Sequence, residues 1–230
     1  MPDRADISTV PRKPPREPAF SESRWPMALA VATAIALQFA LPNRHVISPT
    51  FVFPAAESLL FVVLLTGRSV SHTDPWSIAR RRIIFGLIVV MSADTLLAVV
   101  ELVRGILDGA QGDTGSVLLA TGAAVWWTNI IAFSLWFWML DRGGPAARAA
   151  GRATPPSFVF ATMQAGEYTP ADWKPKYFDY LYLAFTNATA FSPTDTMPIT
   201  RLSKLLMLVQ SSISLVVALM IISRAVSILK

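Results

Sequence analysis

Long apolar runs limit what this chain can fold into more than any other feature of its sequence. Runs of about 17 residues or more occupy 26–42, 50–66, 83–107, 117–140 and 205–229. A helix of about 20 apolar residues crosses the hydrocarbon core of a bilayer. Only 15% of the residues are charged, against about 25% in soluble domains. A shorter sixth segment, 177–192, is aromatic at its start and polar later. The sequence therefore predicts an all-α polytopic membrane protein with one transmembrane domain over 26–230.

Residues that usually carry chemistry are scarce. The chain has no cysteine and only two histidines, His45 and His72, which excludes zinc fingers, iron–sulfur clusters and cysteine–histidine nucleophile pairs. It contains no P-loop, dinucleotide fingerprint or nucleophile elbow. The net charge of +5 arises from Lys and Arg between the apolar runs, so it forms no basic stripe for nucleic acid. We therefore predict no catalytic residue, cofactor, metal or nucleic-acid partner, and an intramembrane enzyme is the least favoured function.

The distribution of Lys and Arg predicts the orientation of the chain. The proline-rich segment 1–25, which we interpret as a disordered tail, carries five of these residues. Segment 67–82 carries four and 141–176 carries five, whereas 43–49 has one and 108–116 has none. Because Lys and Arg are enriched in cytoplasmic loops, we expect a cytoplasmic tail and alternating sides after it.

Segment 177–192 leaves two topologies open. As a sixth span it places 193–204 outside and returns the C-terminus to the cytoplasm. As a re-entrant helix it leaves five spans and an external C-terminus. Its length, about 24 Å as a helix, fits either topology. The charge pattern favours six spans, because 193–204 contains only Arg201 and Lys204.

Four ionisable residues lie inside the apolar runs and are candidate functional groups, because such residues are costly in a membrane. Asp94 and Glu101 are seven residues apart, on one helical face, and Arg104 is positioned to pair with Glu101. Glu57 and Asp94 facing a common cavity would suit the passage of protons or inorganic cations. The structural alternative is a set of hydrogen bonds and ion pairs between helices.

Residues 181–229 resemble the pore-helix, filter and inner-helix module of two-helix potassium channels. The string TAFSPTD at 189–195, followed by Pro198, occupies the positions of that family's threonine-rich filter, aspartate and proline without a gap. The resemblance implies a narrow polar constriction lined by oxygen atoms. Its candidate residues are Thr186, Asn187, Thr189, Ser192, Thr194 and Asp195.

The same stretch departs from the channel pattern at the filter itself. Ser192 and Thr194 replace both glycines, and Pro193 replaces the tyrosine. A ladder of carbonyls needs backbone conformations that glycine permits and other residues resist. The resemblance therefore implies a channel-like pore module for cations that lacks a potassium-type filter. One module per chain would require a homo-oligomer, by analogy a tetramer.

A second resemblance covers most of 117–229. The strings WTNIIAFSLWFWMLDRGGP and DYLYLAFTNATAFSPTDTMPITRLSKLLMLVQSSIS resemble an uncharacterised bacterial family of small integral membrane proteins. This resemblance implies multi-pass insertion in a bacterial inner membrane and supplies no mechanism. The rival to the pore is a non-conducting scaffold or accessory subunit, in which the same polar residues satisfy one another between helices.

Overall fold

The computed structural model describes residues 23, 25–40, 52–66, 75–107, 115–149, 154–170, 173–190 and 195–228. These residues are mostly helical, as predicted. The predicted tail over 1–25 lies almost wholly outside them, as do the candidates Ser192 and Thr194. The helices are α1 Trp25–Ala40, α2 Val52–Thr66, α3 Pro75–Leu107, α4 Gly115–Leu140, α5 Pro145–Ala149, α6 Tyr177–Ala190 and α7 Arg201–Ile228.

Three helices are long and apolar enough to cross a membrane. Their candidate spans are Ala79–Gly105, Leu119–Gly143 and Arg201–Ser223. The first two helices, α1 and α2, are apolar but only 16 and 15 residues long. The membrane class predicted from the sequence is consistent with these three helices, whereas six spans are not confirmed.

Helix α4 is the centre of the bundle. It is apolar on all sides, a pattern typical of a helix surrounded by others, and it packs against α1, α3, α6 and α7. In an 18-residue apolar window of its candidate span 72% of the residues are buried, against 44% in the window of α3 and 22% in that of α7. Helix α2 packs on α1 and α3. The bundle therefore has one enclosed helix and a peripheral helix, α7, whose outer side remains uncovered by the described residues.

Both long neighbours of α4 run antiparallel to it. Near the start of α3, the Phe85 ring lies 5.9 Å from that of Trp136, close to the end of α4. On the other neighbour, Asn129 of α4 contacts Ser214 of α7, and Gly122 faces Ile221 further along. The beginnings of α3 and α7 therefore lie at the end of the bundle where α4 finishes.

Helix α7 begins four residues earlier than the apolar run predicts. The Thr200 hydroxyl accepts a hydrogen bond from the Ser203 backbone N–H at 3.1 Å, which is a helix N-cap. Hydrophobicity alone places the start at 205, because Arg201 and Lys204 interrupt the apolar pattern. The cap, not the apolar pattern, sets the boundary.

Two short strands form an antiparallel ladder that the all-α prediction did not include. Strand β1, Phe158–Phe160, pairs with β2, Thr196–Pro198, with Val159 opposite Met197. Side chains alternate along a strand, so Phe158 and Phe160 face the same way and are buried. Three-residue strands are too short for a periodic pattern to reveal, so the sequence predicted no strand within 141–176.

The ladder also shows where the described chain lies again after α6. Tyr177, at the start of α6, contacts Ser134 of α4, and Phe185 reaches Trp126 and Trp127. Helix α6 therefore runs antiparallel to α4 over 14 residues, about 21 Å. The chain then reappears in β2, beside β1. A sixth crossing, which the charge pattern favoured, is not confirmed, and β2 lies beside β1 of the 141–176 segment.

Candidate functional site

The structure places the described constriction candidates near the end of α6 and directly before β2. Thr186, Asn187 and Thr189 lie in the last two turns of α6, and Asp195 precedes β2. Asn187 is buried, whereas Thr189 and Asp195 are exposed. The described candidates therefore do not converge on one surface, and Ser192 and Thr194 remain predictions.

Asn187 belongs to a hydrogen-bonded cluster between α6 and α7. Its amide nitrogen donates to the side-chain oxygen of Gln210 at 2.8 Å and to the Met207 carbonyl at 3.0 Å. Gln210 in turn donates to the Ala184 carbonyl at 2.8 Å. Each of these bonds joins the two helices, and both amide side chains are almost completely buried.

The cluster continues onto the central helix. The Asn129 amide nitrogen donates to the Ser214 hydroxyl at 3.0 Å and to the Gln210 carbonyl at 3.4 Å. On the α6 side, the Ser211 hydroxyl donates to the Asn187 carbonyl at 3.3 Å. We call Asn129, Asn187, Gln210, Ser211 and Ser214 the amide network. It joins α4, α6 and α7 with neutral groups, which suits a site enclosed among apolar helices.

The two threonines of α6 do not extend this network. The Thr186 hydroxyl lies within hydrogen-bonding distance of the Tyr182 and Leu183 carbonyls, and that of Thr189 bonds to the Phe185 carbonyl at 2.7 Å. Hydroxyls of this kind satisfy themselves on their own helix. The Asp195 carboxylate accepts a bond from the neighbouring Thr196 hydroxyl at 3.2 Å. None of these contacts shapes an opening.

Glu57 is fully buried and contacts another amide. Its carboxylate accepts a hydrogen bond from the Gln38 side chain of α1 at 2.9 Å, across the α1–α2 interface. A carboxylate removed from water requires such a donor. Gln38 is a neutral polar residue within an apolar run, and it bridges two helices here as such residues commonly do.

The ionisable residues of α3 occupy different environments. Asp94 is fully buried, Glu101 is half-buried and Arg104 is exposed. The exposure of Arg104 fits its position in the last turn of α3, near the end of the bundle. The Glu101–Arg104 ion pair and a cavity shared by Glu57 and Asp94 both stay predictions.

Asp141 accepts several hydrogen bonds and was not among the predicted candidates. One carboxylate oxygen accepts bonds from the Ser157 and Phe158 backbone N–H groups at 2.7 and 3.3 Å. The other accepts a bond from the Tyr180 hydroxyl at 2.6 Å and lies 3.7 Å from Nε of Arg142. Asp141 thus ties the end of α4 to β1 and to α6, and we call this cluster the Asp141 anchor.

A buried arginine completes the anchor. One terminal nitrogen of Arg148 donates to the Trp138 and Asp141 carbonyls, both at 2.9 Å. Its guanidinium lies over the Tyr180 ring, 5.2 Å from the centroid, and 5.9 Å from that of Trp138. The Trp138 and Asp141 carbonyls lie at the end of α4, where carbonyls lack an intrahelical partner and a cation is favoured.

The backbone turns sharply at this point. Arg142, Gly143 and Gly144 all have positive φ angles, of 51°, 76° and 89°. Glycine adopts such angles without strain, so the pair Gly143–Gly144 after Asp141 is the sequence signal for a helix end that could have marked the anchor. What the sequence does not reveal is that Tyr180, 39 residues away, donates to the same carboxylate.

Neither cluster has the composition of a metal centre or a hydrolytic site. Among the residues that the structure describes, no three His, Cys, Asp or Glu side chains are grouped so that they could hold a metal ion. The amide network offers neutral donors and acceptors, and the Asp141 anchor uses its carboxylate for bonds within the chain. In comparisons with known proteins, no family model, curated protein or solved structure matches this chain.

Proposed function

We propose that this chain is a non-conducting integral membrane scaffold with five spans and one re-entrant helix, α6. The observation that carries this proposal is the amide network. Asn187, the buried polar side chain at the deep end of α6, directs both of its described hydrogen bonds to α7. Its amide nitrogen therefore holds two helices together. A cation path instead needs oxygen atoms that replace the ion's hydration shell, and these bonds do not supply them.

The outer surface of α7 supports the same conclusion. In a channel built from this module, the last helix would line a water-filled path. The exposed side chains of α7 are instead large and apolar, including Leu205, Leu208 and Leu219, which are more than half exposed. Such a face suits contact with lipid or with another apolar helix.

The positions of the basic residues support a cytoplasmic location for the end of the bundle that carries β1 and β2. Arg80–Arg82 at the start of α3, and Arg201 and Lys204 at the start of α7, lie at this end. Lys and Arg concentrate on the cytoplasmic side, so five spans give a cytoplasmic N-terminus and an external C-terminus in a bacterial inner membrane. A reporter fused after Lys230 tests this topology: an external signal agrees with it, and a cytoplasmic signal contradicts it.

The scaffold proposal is tested by ion flux. Purified full-length protein is reconstituted into liposomes that contain a potassium-sensitive or a proton-sensitive dye, and an ionophore added at the end shows that the vesicles are sealed. We expect no flux above that of protein-free liposomes, both for the natural chain and for Asp195→Asn and Asn187→Asp. Flux that rises with the amount of protein and that Asp195→Asn alters would overturn the proposal.

A cation pore is the second candidate, and one observation favours it. The chain enters along α6 and returns to β2 at the same end of the bundle, which is the path of a pore loop, and Asp195 is exposed on that path. A pore of this kind would need several copies around an axis, by analogy four. The same liposome assay separates the candidates, because only the pore predicts a flux that depends on Asp195.

A further inference from the structure

One side of α7 carries two cations at its beginning and apolar side chains after them. Arg201 and Lys204 are exposed in the first turns of the helix, three residues apart. Leu205, Leu208 and Leu215 follow on the same side at helical spacing, and all three are exposed. We call these five residues the α7 stripe. Its polarity changes once, from charged at the end of the bundle to apolar further along the helix.

Neither cation of the α7 stripe is engaged by the chain itself. No ion pair joins Arg201 or Lys204 to an acidic side chain among the residues that the structure describes. Other arginines at this end have internal partners, since Arg148 donates to two carbonyls at the end of α4 and Arg142 lies beside the Asp141 carboxylate. The two positive charges of the stripe are therefore directed to a partner outside the described chain.

We propose that the α7 stripe binds an anionic phospholipid of the cytoplasmic leaflet. Its phosphate lies at Arg201 and Lys204, because arginine and lysine form strong charge-assisted hydrogen bonds with phosphate oxygens. One acyl chain lies along the three leucines. Basic residues next to a membrane-embedded helix attract anionic lipids, and the stripe has the same order of charged and apolar parts as such a lipid. The inference rests on the proposed membrane insertion and topology, and not on the absence of conduction.

The length of the stripe fits one leaflet. From Leu205 to Leu215 the helix rises about 15 Å, which is half of a hydrocarbon core about 30 Å thick. Ser212 is exposed among these leucines, but its hydroxyl donates to the Leu208 carbonyl at 2.9 Å. A hydroxyl satisfied on its own helix needs no partner from an acyl chain. The leucines therefore reach the depth at which an acyl chain of that leaflet ends.

Helix α3 begins at the same end of the bundle and shows why the placement of the two cations matters. Its exposed arginines, Arg81 and Arg82, are adjacent, so their side chains point about 100° apart around the helix. Arg81 lies over the Phe85 ring, 5.7 Å from the centroid. Arg201 and Lys204 are only about 60° apart around α7, so both can reach one phosphate. The charges therefore favour α7 over α3 as the lipid site.

The lipid preference of the purified full-length protein tests the proposal. The protein is kept in a neutral detergent, phosphatidylglycerol or phosphatidylcholine is added in increasing amounts, and native mass spectrometry counts the lipid molecules that stay bound. The natural chain is compared with the double variant Arg201→Gln, Lys204→Gln. The matched control is the double variant Arg82→Gln, Lys176→Gln, which also removes two exposed cations at this end of the bundle. Both double variants therefore lower the net charge equally.

We expect the natural chain and the control to bind one phosphatidylglycerol in preference to phosphatidylcholine. Substituting Arg201 and Lys204 should weaken phosphatidylglycerol binding by a factor on the order of ten, because each basic residue adds its own attraction to anionic lipid. Phosphatidylcholine binding should stay unchanged. A natural chain that does not prefer phosphatidylglycerol, or equal weakening by the two double variants, would overturn the proposal.

A competition experiment tests the apolar part of the stripe. Glycerol phosphate has the charge of the head group but no acyl chains, so we expect that it does not displace phosphatidylglycerol at equal concentration. Displacement would show that the two cations bind phosphate without the leucines, which contradicts the proposal. These measurements are made without a membrane potential or an ion gradient. An ion flux that depends on Asp195 would therefore contradict the scaffold and leave the lipid site standing.

Discussion

The two polar clusters of this protein hold the same helix by different chemistry. The Asp141 anchor binds α6 near its start, through Tyr180, with an acidic side chain and an arginine. The amide network binds α6 near its end, through Asn187, and contains no charge. The difference follows from position, because a charge is cheaper at the end of a span than deep among apolar helices.

The comparison explains how so short a helix is kept in place. Helix α6 is about 21 Å long, and its exposed side carries Phe178, Tyr182 and Phe185, so apolar packing acts on one side only. Directional hydrogen bonds at both ends fix its depth and rotation. Both clusters therefore hold α6 in place, but with different strengths. Mutations in each should show how much each cluster contributes to the free energy of unfolding.

The largest effect is expected from Asp141→Ala. This change removes the acceptor of the Tyr180 hydroxyl and of two backbone N–H groups. It also removes the carboxylate that lies 3.7 Å from Nε of Arg142. Removing one partner of a buried charged cluster costs about 3–5 kcal/mol, so we expect a loss of that size in the free energy of unfolding in detergent micelles.

Asp195→Ala is the matched control for this experiment. Asp195 is an exposed aspartate whose described side-chain bond is to the adjacent Thr196. Surface substitutions usually change stability by less than about 0.5 kcal/mol. Equal losses for the two variants would mean that the anchor is not a stabilising cluster, and the comparison above would fail.

A smaller loss is expected from Gln210→Leu in the amide network. The substitution removes the bonds to Asn187 and to the Ala184 carbonyl and leaves both groups buried. The Asn187 amide keeps its bond to the Met207 carbonyl, and a weakened buried polar group costs about 1–3 kcal/mol, so unfolding in micelles should become easier by about that amount. Gln164→Leu, at an exposed glutamine beside β1, is the control and should change little. A neutral result for Gln210→Leu would show that the neutral cluster is dispensable.

How far the sequence predicts this architecture differs between the two clusters. The amide network was partly visible, since Asn129 and Gln210 stand out as polar residues within apolar runs and such residues bridge helices. The partner of Asn187 was not, because Gln210 lies on another helix, 23 residues along the chain. For the Asp141 anchor, the glycine pair Gly143–Gly144 indicates a helix end, but nothing in the sequence pairs Asp141 with Tyr180.

The path of the chain after α6 was also beyond the sequence. The low number of Lys and Arg in 193–204 favoured the side opposite 141–176 for this segment, and two basic residues are a weak basis for choosing between the two topologies. The pairing of Val159 with Met197 depends on residues 38 positions apart, and neither three-residue strand has a pattern of its own. Periodicity finds long elements that bury one face, and it does not find contacts of this kind.

The smallest expected effect concerns the packing that brings the amide network together. A Cβ atom at Gly122 of α4 would lie 2.7 Å from Cγ1 of Ile221 on α7, closer than side chains tolerate. Gly122→Ala should therefore push the two helices apart and cost about 1–2 kcal/mol. Gly86→Ala is the control, because nothing lies within 4 Å of its Cβ position. Alanine is favoured over glycine within a helix by about 1 kcal/mol, so this variant should gain stability.

A double substitution shows whether the cost arises from this contact. Ile221→Ala removes both atoms that the new methyl group would meet, so Gly122→Ala should cost less in that background than in the natural chain. The difference is the coupling energy between the two positions. If Gly122→Ala destabilises equally in both backgrounds, the close approach of α4 and α7 does not depend on this glycine. The network would then itself set the spacing of the two helices, because Asn129 bonds across the same interface.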